Sequence, residues 1–245
     1  MKSVVRILVL MTFLAGIIFL VRLSIDNRQL AVQLDKLESE VGRMRIGDAN
    51  RVHLVEIEKP YVPPEVAPHV ERVWQFRCYL PPGYDFARHS GGGLVTEKGC
   101  YFQGSSGSNW SSPQAESTHE LLTVSFQRKD GQLVAFYSFG GSSGTTSWGR
   151  FNPARIDEGL VIQKLVSSKQ GPRSFDQTTI LPLLKIYDPA TAQENKVAGQ
   201  TTTTYSGGRF VLYPKSRESE FRQLVRGEIP TDFDPKSIAT VINDE

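Results

Sequence analysis

The sequence predicts a mainly β protein in which a single N-terminal transmembrane helix continues into a short coiled coil. An extracytoplasmic antiparallel β-sandwich or barrel-like domain with one C-terminal helix is expected to follow. An apolar run near the N-terminus predicts the span, and apolar residues at heptad spacing directly after it predict the coiled coil. From Val73 onward, short β-branched and aromatic segments alternate with turn signals and not with helices, which favours an antiparallel sheet arrangement over βαβ units.

The charge balance excludes one large class of function. The 245 residues carry 28 Lys and Arg against 26 Asp and Glu, a formal charge of +2. Lys2, Arg6 and Arg22 lie at the N-terminus, and removing these three charges leaves −1 for the remainder. A nucleic-acid-binding protein needs a clustered basic face, and a nearly neutral body argues against one, so nucleic-acid binding is not expected. Four widely separated histidines and two cysteines show no metal-ligand spacing, and no metal or cofactor is predicted.

The N-terminal segment 4–23 is predicted to be a membrane signal-anchor behind a cytoplasmic tail of residues 1–3. Its largely apolar stretch from Ile7 to Val21 would cover roughly 22 Å as a helix, and flanking apolar residues extend it towards the ~30 Å of a bilayer core. A cleaved signal peptide is the alternative, but no small-x-small pattern follows Val21. The positive charges before the span place the N-terminus in the cytoplasm and the rest outside.

Residues 24–46 are predicted to form a coiled coil. After Leu23, residues suited to a helical seam recur at alternating steps of three and four: Asn27, Leu30, Leu34, Leu37, Val41 and Met44. An asparagine at a single a position favours two in-register strands, so the seam predicts a homodimer. The alternative is one amphipathic helix that packs on its own domain.

The remainder divides into a Pro-rich stalk at 47–72, a β domain at 73–230 and a flexible tail at 231–245. Within the stalk, residues 52–58 alternate weakly and are an alternative edge strand. Expected strands lie at 73–80, 121–127, 132–139, 159–166, 178–187 and 209–213. The second and third are joined by Asp130-Gly131, a strong hairpin signal. A helix is expected after Ser216 as its cap, with Phe221, Leu224 and Val225 on one face, ending at Gly227.

Cys78 and Cys100 are a possible disulfide pair, because both are expected outside the cytoplasm. A bridge would close a loop of about 23 residues and contribute roughly 3 kcal/mol in the chain-entropy model. In the alternative, Cys78 is a small buried hydrophobe on the face of its strand that carries Trp74 and Phe76.

Three short strings resemble parts of α/β-hydrolase esterases and lipases. Residues 79–84 (YLPPGY) resemble an early strand, 89–93 (HSGGG) resemble the oxyanion-hole motif, and 140–144 (GGSSG) match the nucleophile elbow. The resemblance implies a serine esterase with Ser142 as its nucleophile. However, the residues after Ser142 are poor helix formers and no histidine follows His119, so the catalytic constellation is incomplete.

Two Gly/Ser-rich segments, 103–112 and 140–149, are predicted to be similar loops. Both contain Gly-Ser-Ser-Gly and one tryptophan, Trp110 or Trp148. Adaptable loops with flat aromatic anchors suit a glycan ring or an extended peptide, which makes Asn109, Trp110 and Trp148 candidate ligand-binding residues. In the alternative, the indoles fold inward and the small residues only let the chain turn.

These features together predict a non-enzymatic, membrane-anchored binding or scaffolding protein of the cell envelope. The layout of short tail, span and leucine heptads is similar to that of bitopic cell-division proteins, without a residue-level match. The expected partners are the membrane, a second copy, and an envelope protein or glycan. Glycan binding and, more remotely, ester hydrolysis are the alternative functions.

Overall fold

The computed structural model describes residues 16–17, 19–28, 30, 44, 46–148, 151–156 and 158–243, excluding the side chain of Ser147. The chain divides into two compact units, Met1–Arg43 and Met44–Glu245. The second unit contains all twelve strands found among the described residues, together with the C-terminal helix.

In the first unit, residues 16–17, 19–28 and 30 are helical and exposed, including Asn27 and Leu30 of the predicted seam. Much of the predicted span, as well as Leu34, Leu37 and Val41, lies outside the described residues. No helix in the described part of the chain is both long and apolar enough to cross a bilayer. Met44, expected at the last seam position, is not helical and is buried in the second unit, so the helix does not extend to it.

Two six-stranded antiparallel sheets make up the second unit, which confirms the mainly β class. The strands are β1 (Val52–Glu56), β2 (Arg72–Leu80), β3 (Phe86–Val95), β4 (Phe102–Ser111), β5 (Thr118–Lys129), β6 (Gln132–Phe139), β7 (Ser142–Ser147), β8 (Val161–Lys164), β9 (Arg173–Phe175), β10 (Leu181–Val197), β11 (Gln200–Pro214) and β12 (Ile242–Asn243). Sheet A has the order β7-β6-β5-β2-β1-β9, and sheet B has the order β12-β8-β10-β11-β3-β4.

The main core lies between the two sheets, as in a β-sandwich. One apolar cluster contains Phe76 and Leu122 from sheet A together with Ile186 and Phe210 from sheet B. Alternate residues of each strand face this layer because successive side chains of a strand point to opposite faces. The sheets are thus held together mainly by burial of apolar side chains from both inner faces.

Cys78 and Cys100 are both free, which corrects the proposed disulfide. Cys78 belongs to the core between the sheets, whereas Cys100 belongs to a separate cluster beside the C-terminal helix. Burial raises the pKa of each thiol, so each behaves as a small apolar group. The alternative of a buried small hydrophobe describes Cys78.

The C-terminal helix, Glu218–Arg226, covers the outer face of sheet B. Its Phe221 and Leu224 are buried against Val211 and Tyr213 of β11. Gly227, with φ of 80°, ends the helix in the left-handed conformation, as the sequence predicts. Ser216 is not its cap: it lies in the preceding 3-10 turn (Lys215–Arg217), and the N-cap residue Arg217 makes no side-chain capping bond.

The hairpin at Asp130-Gly131 is confirmed, with both residues at positive φ between β5 and β6. Strand β1 is not an edge strand, because it pairs with both β2 and β9, so the segment expected to be a stalk contributes to sheet A. The segment from residue 231 is not a loose tail where it is described: it contains a 3-10 turn (Pro235–Ser237) and β12, and Ile238 bridges to Ile180.

Candidate binding edge at strand β4

The two Gly/Ser-rich segments are edge strands and not loops. Residues 102–111 form β4 at one edge of sheet B, and residues 142–147 form β7 at one edge of sheet A. Gly140 and Gly141, with φ of 58° and 71°, make the tight turn that joins β6 to β7. The abundance of small residues misled the sequence prediction, because glycine and serine are typical of loops as well as of strands without a packed face.

Trp148 is fully buried between the sheets and is therefore inaccessible to a surface ligand. Its indole lies against Gly208 of β11, and its backbone and Cβ lie against Gly92 of β3, which pairs directly with Gly208. The ring of Phe126 meets it edge-on at 4.7 Å between centroids. This is the inward-folded alternative, and it explains the local need for glycine at both strand positions. A side chain at Gly208 would overlap the indole ring, and one at Gly92 would overlap the backbone and Cβ of Trp148.

Trp110 lies on the surface at the far end of β4, with 44% of its area exposed. Its ring meets Tyr213 edge-on at 6.2 Å, and Nζ of Lys215 lies 5.6 Å from its centroid. Tyr213 in turn stacks on Phe221 of the C-terminal helix. The indole is thus held from one side by the helix-covered face of sheet B, and the rest of its surface is free to contact a ligand.

Asn109 is exposed, and its Nδ2 donates to the hydroxyl of Tyr137 at 2.5 Å. Because neighbouring residues of a strand point to opposite faces, Asn109 and Trp110 are directed to different sides of sheet B. The three ligand-binding residues predicted from sequence therefore do not converge: Asn109 and Trp110 lie on opposite faces of β4, and Trp148 is in the core.

The structure reveals a candidate binding feature that the sequence analysis did not predict, which is the open edge of β4. Every residue from Gln103 to Trp110 is exposed, and the ten residues of the strand include no charged residue and no proline. In the described chain, β4 pairs only with β3. Its outward backbone N–H and C=O groups therefore form an open edge of the kind that accepts another strand.

The hydrolase-like strings do not assemble into an active site. Ser142 begins β7 directly after the tight turn, so it lies in a strand–turn–strand unit and lacks the helix of a nucleophile elbow. Its Oγ accepts a hydrogen bond from Nη2 of Arg88 at 3.0 Å. His89, the next residue of β3, is directed to the opposite face, where it contacts Phe221 beneath the helix.

A buried row of basic side chains beneath the helix was missed by the sequence analysis. Lys185 of β10 and Arg209 of β11 pair across the strands, and their exposed fractions are 3% and 1%. Burial lowers the pKa of Lys185 to about 8 and that of Arg209 to about 10. The sequence pattern that could have revealed these residues is a single basic residue within a largely apolar strand segment, as in Leu-Leu-Lys-Ile and Gly-Arg-Phe-Val.

Comparison of the chain with protein-family models, curated proteins and solved structures found no match. Within the described residues, no group of three or more His, Cys, Asp or Glu side chains is arranged to hold a metal ion.

Proposed function

We propose that this chain is a non-enzymatic, membrane-anchored binding or scaffolding protein of the cell envelope. Its β domain lies outside the cytoplasm and binds an extended segment of a partner protein by strand addition at β4. The observation that carries this proposal is the exposed, uncharged and singly paired edge of β4. Natural proteins usually protect such edges with charge, proline or a covering segment, and β4 has neither a charge nor a proline.

The dimensions and chemistry of the edge suit a peptide strand. Ten residues at about 3.3 Å each span roughly 33 Å, enough for several backbone hydrogen bonds. Small side chains along β4 leave room for the side chains of an added strand. At one end, Trp110 and the cation of Lys215 offer a contact for an aromatic or acidic side chain. Backbone pairing would supply affinity, and this end would supply direction and specificity.

The membrane and dimer parts of the proposal rest on the sequence pattern of the first unit. The apolar run from Ile7 to Val21 supports an anchor, and the heptad spacing from Asn27 to Val41 supports a parallel pair of helices. Two anchored copies would present two β4 edges to one partner or array. Their joint binding would exceed that of either edge because the second contact becomes intramolecular.

Peptide selection tests the binding proposal directly. The full chain in mild detergent is presented with a displayed library of random peptides of about 12 residues, long enough to pair along β4. We expect selected peptides to show period-two alternation and to lose binding to Gly107→Lys, a position where an added Cβ meets open space. The same charge at exposed Ser117, outside β4, is the matched control and leaves binding unchanged.

Two outcomes would overturn strand addition. Selected peptides that bind equally to Gly107→Lys would place their site elsewhere. Alternatively, no peptide is selected, and the chain sediments with insoluble cell-wall glycan unless Trp110 is replaced by alanine. That result would replace strand addition with the glycan-binding alternative.

Cysteine cross-linking tests the dimer. Cys78 and Cys100 are buried, so a cysteine introduced on the first unit is the accessible one. In a parallel pair, Leu30→Cys at a seam position is expected to form a disulfide with its counterpart under mild oxidation, in the full chain embedded in vesicles. Arg28→Cys, at a position directed away from the seam, is the control. Equal cross-linking of the two variants would exclude the seam.

A further inference from the structure

The most unusual electrostatic feature of the β domain lies under the C-terminal helix, away from the β4 edge. Across the outer face of sheet B, Gln163, Lys185, Arg209 and Gly91 occupy directly paired positions on four neighbouring strands. Two cations therefore face each other in a buried layer. Like charges placed opposite each other destabilise a sheet, and buried charges normally have a counter-charge.

The two cations differ in how their donors are used. Nζ of Lys185 donates to three backbone carbonyl groups, those of Thr96 and Glu97 at 3.0 Å each and that of Gly99 at 3.2 Å. These bonds use all three ammonium protons and hold the turn between β3 and β4. Lys185 is thus fully satisfied by the backbone and has a structural role.

Arg209 uses only one side of its guanidinium. Nη1 donates to the backbone oxygen of Cys100, whereas Nε and Nη2 have no hydrogen-bond partner among the described residues. Nε and Nη2 form the side of a guanidinium that binds the two oxygens of a carboxylate or phosphate in parallel. No ion pair in the described part of the chain includes Arg209.

The surroundings of this free edge are aromatic and contain one further donor. The rings of Phe102 and Phe221 lie 5.0 and 5.6 Å from the guanidinium carbon of Arg209. His89 meets the same two rings edge-on at 5.4 and 5.5 Å, and its Nδ1 also lacks a partner among the described residues. Burial, and secondly the charge of Arg209, lower the pKa of His89 to about 3, so its ring is neutral and able to donate from one nitrogen.

We propose that Arg209 is the centre of a binding site for a small oxyanion, a carboxylate or phosphate group carried by a ligand. Nε and Nη2 of Arg209 bind two of its oxygens, and Nδ1 of His89 donates to the same group. Phe102 and Phe221 exclude water, which strengthens charge-assisted hydrogen bonds. This site shares Phe102 with β4 but includes none of the exposed residues 103–110, so peptide binding and oxyanion binding can be tested separately.

An open cavity of about 420 Å³ gives the body of such a ligand a place next to the site. Cys100, whose carbonyl already binds Arg209, lines the cavity together with Leu224 of the helix and the end of the β10–β11 hairpin at Val197. Cavities of this size hold small organic ligands. Arg209 and Phe221 do not line this cavity, so the proposal requires the helix that carries Phe221 to move when the anion enters past Cys100.

Thermal unfolding of the full chain in matched salts tests the proposal. At equal ionic strength, sodium phosphate and sodium acetate are compared with sodium chloride. We expect one oxyanion to raise Tm saturably, by about 5–10 °C at a hundredfold excess over its Kd. Phosphate alone would indicate a phosphorylated ligand, and acetate would indicate a carboxylate ligand. Equal Tm values in all three salts would overturn the proposal.

Variants locate the effect. Arg209→Met is expected to abolish the oxyanion-dependent rise, whereas Arg222→Met, which removes a guanidinium from the exposed side of the helix, retains it. Arg209→Lys covers the case in which Arg209→Met does not fold, because it keeps a charge but has no two-donor edge. A rise of unchanged size in Arg209→Lys, or its loss in Arg222→Met, would exclude Arg209 as the receptor.

Discussion

Replacing Trp148 with alanine tests the packing that holds the two sheets together. The side chain is fully buried, and its neighbours are backbone atoms of Gly92 and Gly208 together with the rings of Phe126 and Phe151. Large-to-small substitutions of buried aromatic residues cost about 3–5 kcal/mol. Two walls of the site are paired strands that cannot collapse inward, so we expect a loss of about 4–5 kcal/mol. Typical domains have about 5–15 kcal/mol in total.

The assay is urea unfolding of the full chain in mild detergent, followed by circular dichroism because a tryptophan has been removed. A double-mutant cycle with Gly208→Ala measures the coupling free energy between the indole and Gly208 directly. A Cβ at Gly208 would fall well inside van der Waals contact with the indole ring, so Gly208→Ala alone should cost about 1–3 kcal/mol. When Trp148 is already alanine, the added methyl group enters vacated space and should cost nothing. The expected coupling is therefore on the order of 2 kcal/mol.

Additive effects of the two substitutions, within about 0.5 kcal/mol, would refute the packing of the indole against Gly208. Gly107→Ala is the matched control in the cycle, because a Cβ at that position of β4 meets no atom. Its effect should add to that of Trp148→Ala without coupling. If Trp148→Ala cost less than about 1 kcal/mol, the indole would not be part of the core at all.

Three further predictions concern charge and turns. Burial, and secondly the charge of Arg209, hold the pKa of His89 near 3 in the folded state, so the unfolded chain binds the extra proton first on acidification. The free energy of unfolding should therefore fall by up to about 1.4 kcal/mol per pH unit below pH 6.5. Urea titrations at pH 7 and 4.5 should show a smaller loss in His89→Phe, but an unchanged loss in the control His69→Gln, whose side chain is exposed. Glu56→Gln removes the carboxylate that binds Nζ of Lys164 at 2.6 Å in a buried pair linking the sheets. In the same assay it should lower the free energy of unfolding by about 3–5 kcal/mol. Glu158→Gln, in the exposed pair with Arg155, should lower it by less than about 0.5 kcal/mol. Gly141→Val, forced to a φ near 71°, should lower stability by about 1–2 kcal/mol, whereas Gly141→Asn should be nearly neutral; equal losses would exclude backbone strain as the cause.

The sequence predicted those parts of the fold that depend on local patterns. Asp130-Gly131 fixes a hairpin by its own backbone preferences, and the strand Gln132–Phe139 has the predicted bounds. The C-terminal helix was predicted from the spacing of Phe221 and Leu224, which alone determines the buried face. In each case the interacting residues are close in sequence, so the pattern contains the information.

Features set by distant residues could not be predicted in this way. Gly92 and Gly208 are small because Trp148 lies over both, and nothing near either glycine in sequence indicates an indole. The string around Gly92 therefore resembled an oxyanion-hole motif. For the same reason β4 was expected to be a loop: its strand conformation comes from pairing with β3, and its own residues have little strand preference.

The described sandwich has four edge strands, of which β9 and β12 have only three and two residues. The surroundings of the two longer ones are the reason why we propose β4, and not β7, as the binding edge. Arg88, a buried side chain of β3, donates to the backbone oxygen of Phe139 and to Oγ of Ser142, so the start of β7 is tied to the opposite sheet. The exposed Asn109 of β4 makes its contact with Tyr137 through a side chain and leaves the backbone edge open. An added strand at β7 would meet a fixed turn at Gly140-Gly141, whereas at β4 it would meet eight consecutive exposed residues ending at Trp110. Strand addition at β4, as proposed, would therefore occur on sheet B, the same sheet that buries Arg209 under the helix.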